Sequence, residues 1–140
     1  MTMPPDASRI VAEWLSRAED DLRSAEHLLT MGADCPFRNV CFFCQQSVEK
    51  HLKALLVQVG VEFPKTHDIA KLVRLLPAVS ATPLSAAEQE RLTDYAFTAR
   101  YPGDEEPLTA DDAREAVAVA RRVRNAVRER LSGKTPESRP

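Results

Sequence analysis

Apolar residues recur along this chain at steps of three and four, the spacing that gathers side chains on one face of an α-helix. Val11, Trp14, Ala18, Leu22, Ala25 and Leu29 form the first series and predict a helix over about residues 6–31. Gly32 follows as its C-terminal cap, because the left-handed residue that closes many helices is usually glycine. A second series, Cys41, Cys44, Val48, Leu52, Leu55 and Val59, lies within residues 36–60. After a loop with Phe63 and Pro64, Thr66 offers an N-cap to a short helix through Ile69, Leu72 and Leu76, which Pro77 closes. Ser85-Ala-Ala-Glu88 has capping-box spacing and opens a helix containing Leu92, Tyr95 and Ala96. Thr109 caps a last helix with Ala113, Val117, Ala120, Val123, Val127 and Leu131 on one side.

Long helices joined by short connections are antiparallel neighbours. The expected fold is therefore all-α: an antiparallel up-and-down four-helix bundle with an additional short helix. No repeat or linker divides the chain, so residues 6–132 read as one helical bundle. Residues 133–140 are polar and proline-bearing, which predicts a flexible tail.

Composition narrows the picture further. With 140 residues, 44% apolar and 29% charged, the chain suits one domain with one sizeable core. Four glycines and a 6% aromatic share argue against a turn-rich β-sandwich. A formal net charge of −2 supplies no general attraction for nucleic acid or anionic lipid, so any such binding needs a local patch. MTMPPDASR places an acid and two prolines where a signal peptide needs an apolar core. The longest apolar runs, such as residues 54–57 and 116–120, are too short to span a bilayer. The expectation is a cytoplasmic protein with no membrane contact and with its three cysteines reduced.

Several patterns invite a chemical reading. Cys41-x-x-Cys44 with His51 suggests a metal, but Cys44 and His51 are separated by ~10 Å of helix rise. One zinc needs its donors within ~2.0–2.3 Å of a single point. Small buried thiols are the simpler account, and no metal or cofactor is expected. Arg121, Arg122, Arg124, Arg128 and Arg130 make the dense basic patch. They end a helix that Asp111, Asp112 and Glu115 begin, which complements the helix dipole and favours a solvated face. Thr66-His67-Asp68 reads as a capped helix start with His67 in the first turn.

The stretch QQSVEKHLKALL, residues 45–56, differs in kind. Glu49 precedes Lys53 by four residues, the favourable order for a helix ion pair worth ~0.3–0.5 kcal/mol at a surface. Gln46, Glu49 and Lys53 align along one polar edge, with Phe42 at its N-terminal end. That pattern leaves a solvated edge and a functional groove both open.

Four motifs in order resemble the HEPN domain, named for a nucleotide-binding role in higher eukaryotes and prokaryotes. They are Trp14…Ala18-x-x-Asp21-Leu22-x-x-Ala25, Gln45-Gln46-x-x-Glu49-Lys50-x-x-Lys53-Ala54-Leu55, Thr66-His67-Asp68-Ile69 and Arg100-Tyr101-Pro102. The resemblance covers roughly residues 8–131. It implies a bundle of four longer helices plus a short one, commonly a symmetric homodimer. It also implies a separate minimal nucleotidyltransferase as partner, the pair forming a toxin–antitoxin module. Many relatives are metal-independent ribonucleases whose motif is an arginine, four to six residues, then a histidine. Here the positions after Arg100 where that histidine belongs hold Glu105, Glu106 and Pro107. No arginine stands at the matching distance before His27, His51 or His67. Proton exchange near neutrality is most readily supplied by histidine, so the departure argues against catalysis of that kind.

What the resemblance carries over is a cleft lined by Asp21, Glu49, Lys53 and Arg100, with Gln46 and Tyr101 beside it. On this reading Arg100 and Lys53 contact a nucleotide or RNA phosphate, and Asp21 and Glu49 hold them through ion pairs. Tyr101 is placed to stack on a base. The alternatives are a divergent metal-independent endoribonuclease, with His67 or His51 brought to Arg100 by the fold, and a purely structural dimeric bundle. Phe42, Phe43 and Phe97 would supply the dimerisation surface of the latter.

Overall fold

The amphipathic series fold as their spacing dictates. Helix α1 spans Pro5–Leu29, α2 Phe37–Gln58, α3 Ile69–Leu75, α4 Ala86–Tyr95 and α5 Ala110–Leu131. Short 3₁₀ turns occupy Gly32–Asp34 and Ala78–Ser80. The computed structural model describes residues 5–80, 82–97 and 107–133, and all the regular structure among them is helical. Arg100, Tyr101, the acidic run Asp104–Glu106 and residues 134–140 of the expected tail lie outside the described residues.

Side-chain contacts fix the directions of the helices. Ser47 Oγ donates to the Ala18 carbonyl at 2.9 Å, and Lys53, further along α2, lies over the ring of Trp14, earlier in α1, so α1 and α2 run antiparallel. Arg121 meets Glu26 at 2.6 Å and Arg128 meets Glu19 at 2.8 Å, which sets α5 antiparallel to α1. Arg91–Glu115 at 2.6 Å and Arg122–Glu88 at 2.9 Å do the same for α4 and α5. The result is an up-and-down bundle of α1, α2, α4 and α5, with α3 packed on α2 and α4.

The helix ends follow their chemistry. Ser85 and Thr109 both form complete capping boxes, with Glu88 and Asp112. Gly60, at φ +76°, closes α2: its N–H reaches the Val57 carbonyl and the Val61 N–H reaches Leu56, leaving few terminal carbonyls unpaired. The start of α3 differs from expectation. Asp68, not Thr66, is the N-cap, its carboxylate accepting from the Lys71 N–H at 3.2 Å. Thr66 Oγ1 instead accepts from the Asp68 N–H at 3.1 Å, which leaves His67 outside the helix.

Helix α2 is the centre of the molecule, in contact with all four other helices. From Ser47 to Leu56 every residue is buried except half-buried Lys50. Leu52, Leu55 and Leu56 are all fully buried, each worth ~1.5–3 kcal/mol of hydrophobic stabilisation. Val59, placed on the buried stripe by its spacing, is exposed because α2 has already ended. Cys41 and Cys44 are core residues with no exposed surface, and Cys35 is buried beside them in the same cluster.

Candidate functional site

Burial of α2 over most of its circumference draws its polar edge inward. Glu49 is only 4% exposed and Lys53 9%, and they pair at 2.9 Å. The expected ion pair is formed, but in the interior rather than on a wet surface. Lys53 Nζ also lies 5.3 Å from the Trp14 ring centre and 5.8 Å from that of Phe63, which themselves meet edge to face. Two aromatic faces thus stabilise a cation that has lost most of its water.

The other oxygen of Glu49 serves the loop before α3. Glu49 Oε1 lies 2.8 Å from His67 Nδ1 and accepts from Gln45 Nε2 at 3.1 Å. Gln45 Nε2 also reaches the His67 carbonyl at 3.2 Å. Gln46 Nε2 donates to Gln45 Oε1 at 2.6 Å, which orients the Gln45 amide with its nitrogen toward Glu49. Gln45, Glu49 and Lys53 are successive turns of α2, so one helix holds both the backbone and the ring of His67. The imidazole itself is 56% exposed and meets the exposed ring of Phe97 edge to face, at 6.4 Å. Phe97 follows α4, which is pinned to α3 where the Ile69 N–H donates to Thr93 Oγ1 at 3.0 Å.

A second polar cluster lies deeper. Fully buried His51 has Nδ1 2.9 Å from the Ser47 carbonyl, while its buried Nε2 has no hydrogen-bond partner and lies 3.6 Å from Glu19 Oε1. Burial holds this imidazole below its ordinary protonation range, against the opposing pull of the Ser47 carbonyl and Glu19.

The fold brings some of the expected site residues together and separates others. Gln46, Glu49 and Lys53 share one network. Asp21 pairs with Lys50, not with Lys53, because the antiparallel register of α1 sets Asp21 opposite the preceding turn of α2. Arg100 and Tyr101 lie outside the described residues. The ammonium of Lys53 is turned inward onto Glu49, so in this arrangement it braces the site. Of the basic residues on α5, Arg121, Arg122 and Arg128 are each committed to a carboxylate of a neighbouring helix. Phe42 and Phe97 are exposed, whereas Phe43 is half-buried against the core.

Spacing along the chain did not single out Gln45, Trp14 and Phe63 as parts of the polar cluster, or His67 as its exposed member. The only sequence signal for them is their membership of the motifs and loop flanking that edge. Among the described residues no cluster of three His, Cys, Asp or Glu side chains is arranged to hold a metal. Burial pushes the Cys41 thiol up to about 12 and raises Cys44 as well, so neither presents a thiolate at neutral pH. No helix among the described residues is long and apolar enough to cross a membrane. Trp14 also lines a cavity of about 170 Å³ with Ile10, Glu13 and Arg17. That is small beside the ~300–1,000 Å³ of a typical ligand pocket.

The HEPN domain model matches residues 11–130, and the chain belongs to the HEPN domain family. The crystal structure of TT1696 from Thermus thermophilus is similar at 28% identity and a TM-score of 0.71, covering 86% of this chain and 98% of that one. An archaeal HEPN homologue, ST0689, is similar at 29% identity and a TM-score of 0.68, covering 86% of this chain and 97% of its own. No curated protein matches.

Proposed function

We propose that this HEPN-domain protein acts by binding, taking a nucleotide or RNA segment at the surface formed by His67, Phe97 and Gln46. The observation that carries this reading is the buried Gln45–Glu49–Lys53 brace beneath an exposed histidine. Buried charge is expensive unless it is paired and hydrogen-bonded, so three polar groups spent on holding one surface ring favour a binding role over a purely structural one. Arg100, three residues after Phe97, supplies the phosphate-contacting charge, and Tyr101 and Phe97 supply aromatic faces for bases. A homodimer in the cytoplasm, partnered by a separate nucleotidyltransferase in a toxin–antitoxin module, is the setting that the family resemblance supports.

Titration of the purified protein with nucleotides and short RNAs tests this reading. Saturable binding that weakens with salt, and is lost in Arg100→Ala, is the expected result. The absence of such binding, or an Arg100→Ala variant indistinguishable from the parent, removes the proposed site.

One observation favours a second reading, a divergent metal-independent endoribonuclease. The linear Arg–His motif is missing, yet His67 packs against Phe97, and Arg100 follows it by a chain span of at most ~11 Å. Growth arrest on expression that is relieved by both Arg100→Ala and His67→Ala supports this reading. RNA left intact after prolonged incubation refutes it.

A further inference from the structure

The network under His67 decides which of its ring nitrogens carries the proton. Glu49 Oε1 receives the Gln45 amide and Oε2 receives the Lys53 ammonium, so the carboxylate is surrounded by donors and acts only as an acceptor. Nδ1 of His67, 2.8 Å from that acceptor, is therefore the protonated nitrogen of the neutral ring. Nε2 is left as a bare acceptor on a side chain that is more than half exposed. No hydrogen bond is made to Nε2 among the described residues.

A bare imidazole nitrogen repels a phosphate oxygen, which is likewise an acceptor, and attracts a hydroxyl. We infer that His67 Nε2 accepts a hydrogen bond from the ribose 2′-hydroxyl of a bound ribonucleotide, making His67 the residue that distinguishes ribose from deoxyribose. The 2′-hydroxyl is the group that separates RNA from DNA at a binding site. This inference rests on the nucleotide-binding reading above and adds the sugar to it. Glu49 and Gln45 are positioning residues on this account: Glu49 fixes the tautomer, and Gln45 fixes the backbone from which the ring projects.

The hydroxyl can belong to a free ribonucleotide or to an RNA strand, and the experiment separates them. Fluorescence anisotropy is measured at pH 7.5 with ribo- and deoxyribo-oligonucleotides of one sequence. Competition by a ribonucleoside monophosphate and by its 2′-deoxy counterpart follows, and gel electrophoresis confirms that the oligonucleotides stay intact. The expected result is ribose preferred about three- to tenfold, the ratio that one net hydrogen bond supplies. Competition by the ribonucleotide alone at comparable concentration identifies a free-nucleotide site; weak competition identifies an RNA strand. His67→Phe keeps an aromatic ring at an exposed position and is expected to abolish the ribose preference, weakening ribose binding about three- to tenfold more than deoxyribose binding. Equal affinity for the two sugars in the parent protein overturns the ribose role and leaves nucleotide binding standing. Equal weakening of both sugars by His67→Phe also overturns it, as the sign of a structural effect. No binding of either oligonucleotide or either nucleotide refutes the site as a whole.

Discussion

Replacing Glu49 by leucine strands the ammonium of Lys53 in the interior. At 2.9 Å the pair attracts by ~6 kcal/mol for an effective dielectric of about 20, most of which offsets the desolvation of the two ions. Losing one partner leaves that desolvation uncompensated, and the expected loss of stability is ~3–5 kcal/mol. His67, being exposed, recovers its hydrogen bond from water and adds little. Urea unfolding followed by circular dichroism measures the effect, which amounts to a midpoint lowered by ~1–3 M. Lys53→Met is expected to destabilise for the mirror-image reason. The double variant Glu49→Leu/Lys53→Met leaves no buried charge and should lose far less than the two single losses combined. A Glu49→Leu loss below ~1 kcal/mol, or single effects that add within ~0.5 kcal/mol, refutes the account of a buried, mutually dependent pair.

Three other outcomes follow from the same structure. His51 binds a proton less readily when folded than when unfolded, so stability should fall as pH drops below the unfolded histidine value of ~6.5. His51→Gln should flatten that dependence in denaturant unfolding at pH 5–7. All three cysteines are buried, and burial raises their protonation range, so a thiol reagent at pH 8 should react with them only after denaturant unfolds the chain. Ser85→Ala and Thr109→Ala each remove a capping-box side chain, and thermal unfolding should show a loss of ~1 kcal/mol for each.

Much of the fold was legible from local chemistry. Three- and four-residue spacing located every helix, because helix geometry converts that spacing directly into a face. Ser85-x-x-Glu88 and Thr109 marked two helix starts to the residue, since a cap and its partner lie within one turn. Thr66 was the exception. Thr66 and Asp68 both accept a nearby backbone N–H, and choosing between them required knowing where Ile69 meets Thr93 on α4.

The site was only half legible. Its members Gln46, Glu49 and Lys53 were on one edge of α2 by spacing alone, but spacing describes a helix without its neighbours. Whether that edge is wet depends on how many elements surround it. Tertiary packing against α1 and the segment before α3 buried the Glu49–Lys53 pair, assigned Lys53 to Trp14 and Phe63, and gave Asp21 to Lys50. It also brought His67, 18 residues further along, onto Glu49. The sequence by itself determined the helices, the caps of α4 and α5, and the family. Only the tertiary structure decided which charges meet and which nitrogen of His67 faces outward, because contacts between residues far apart in the chain are set by packing register rather than by local periodicity.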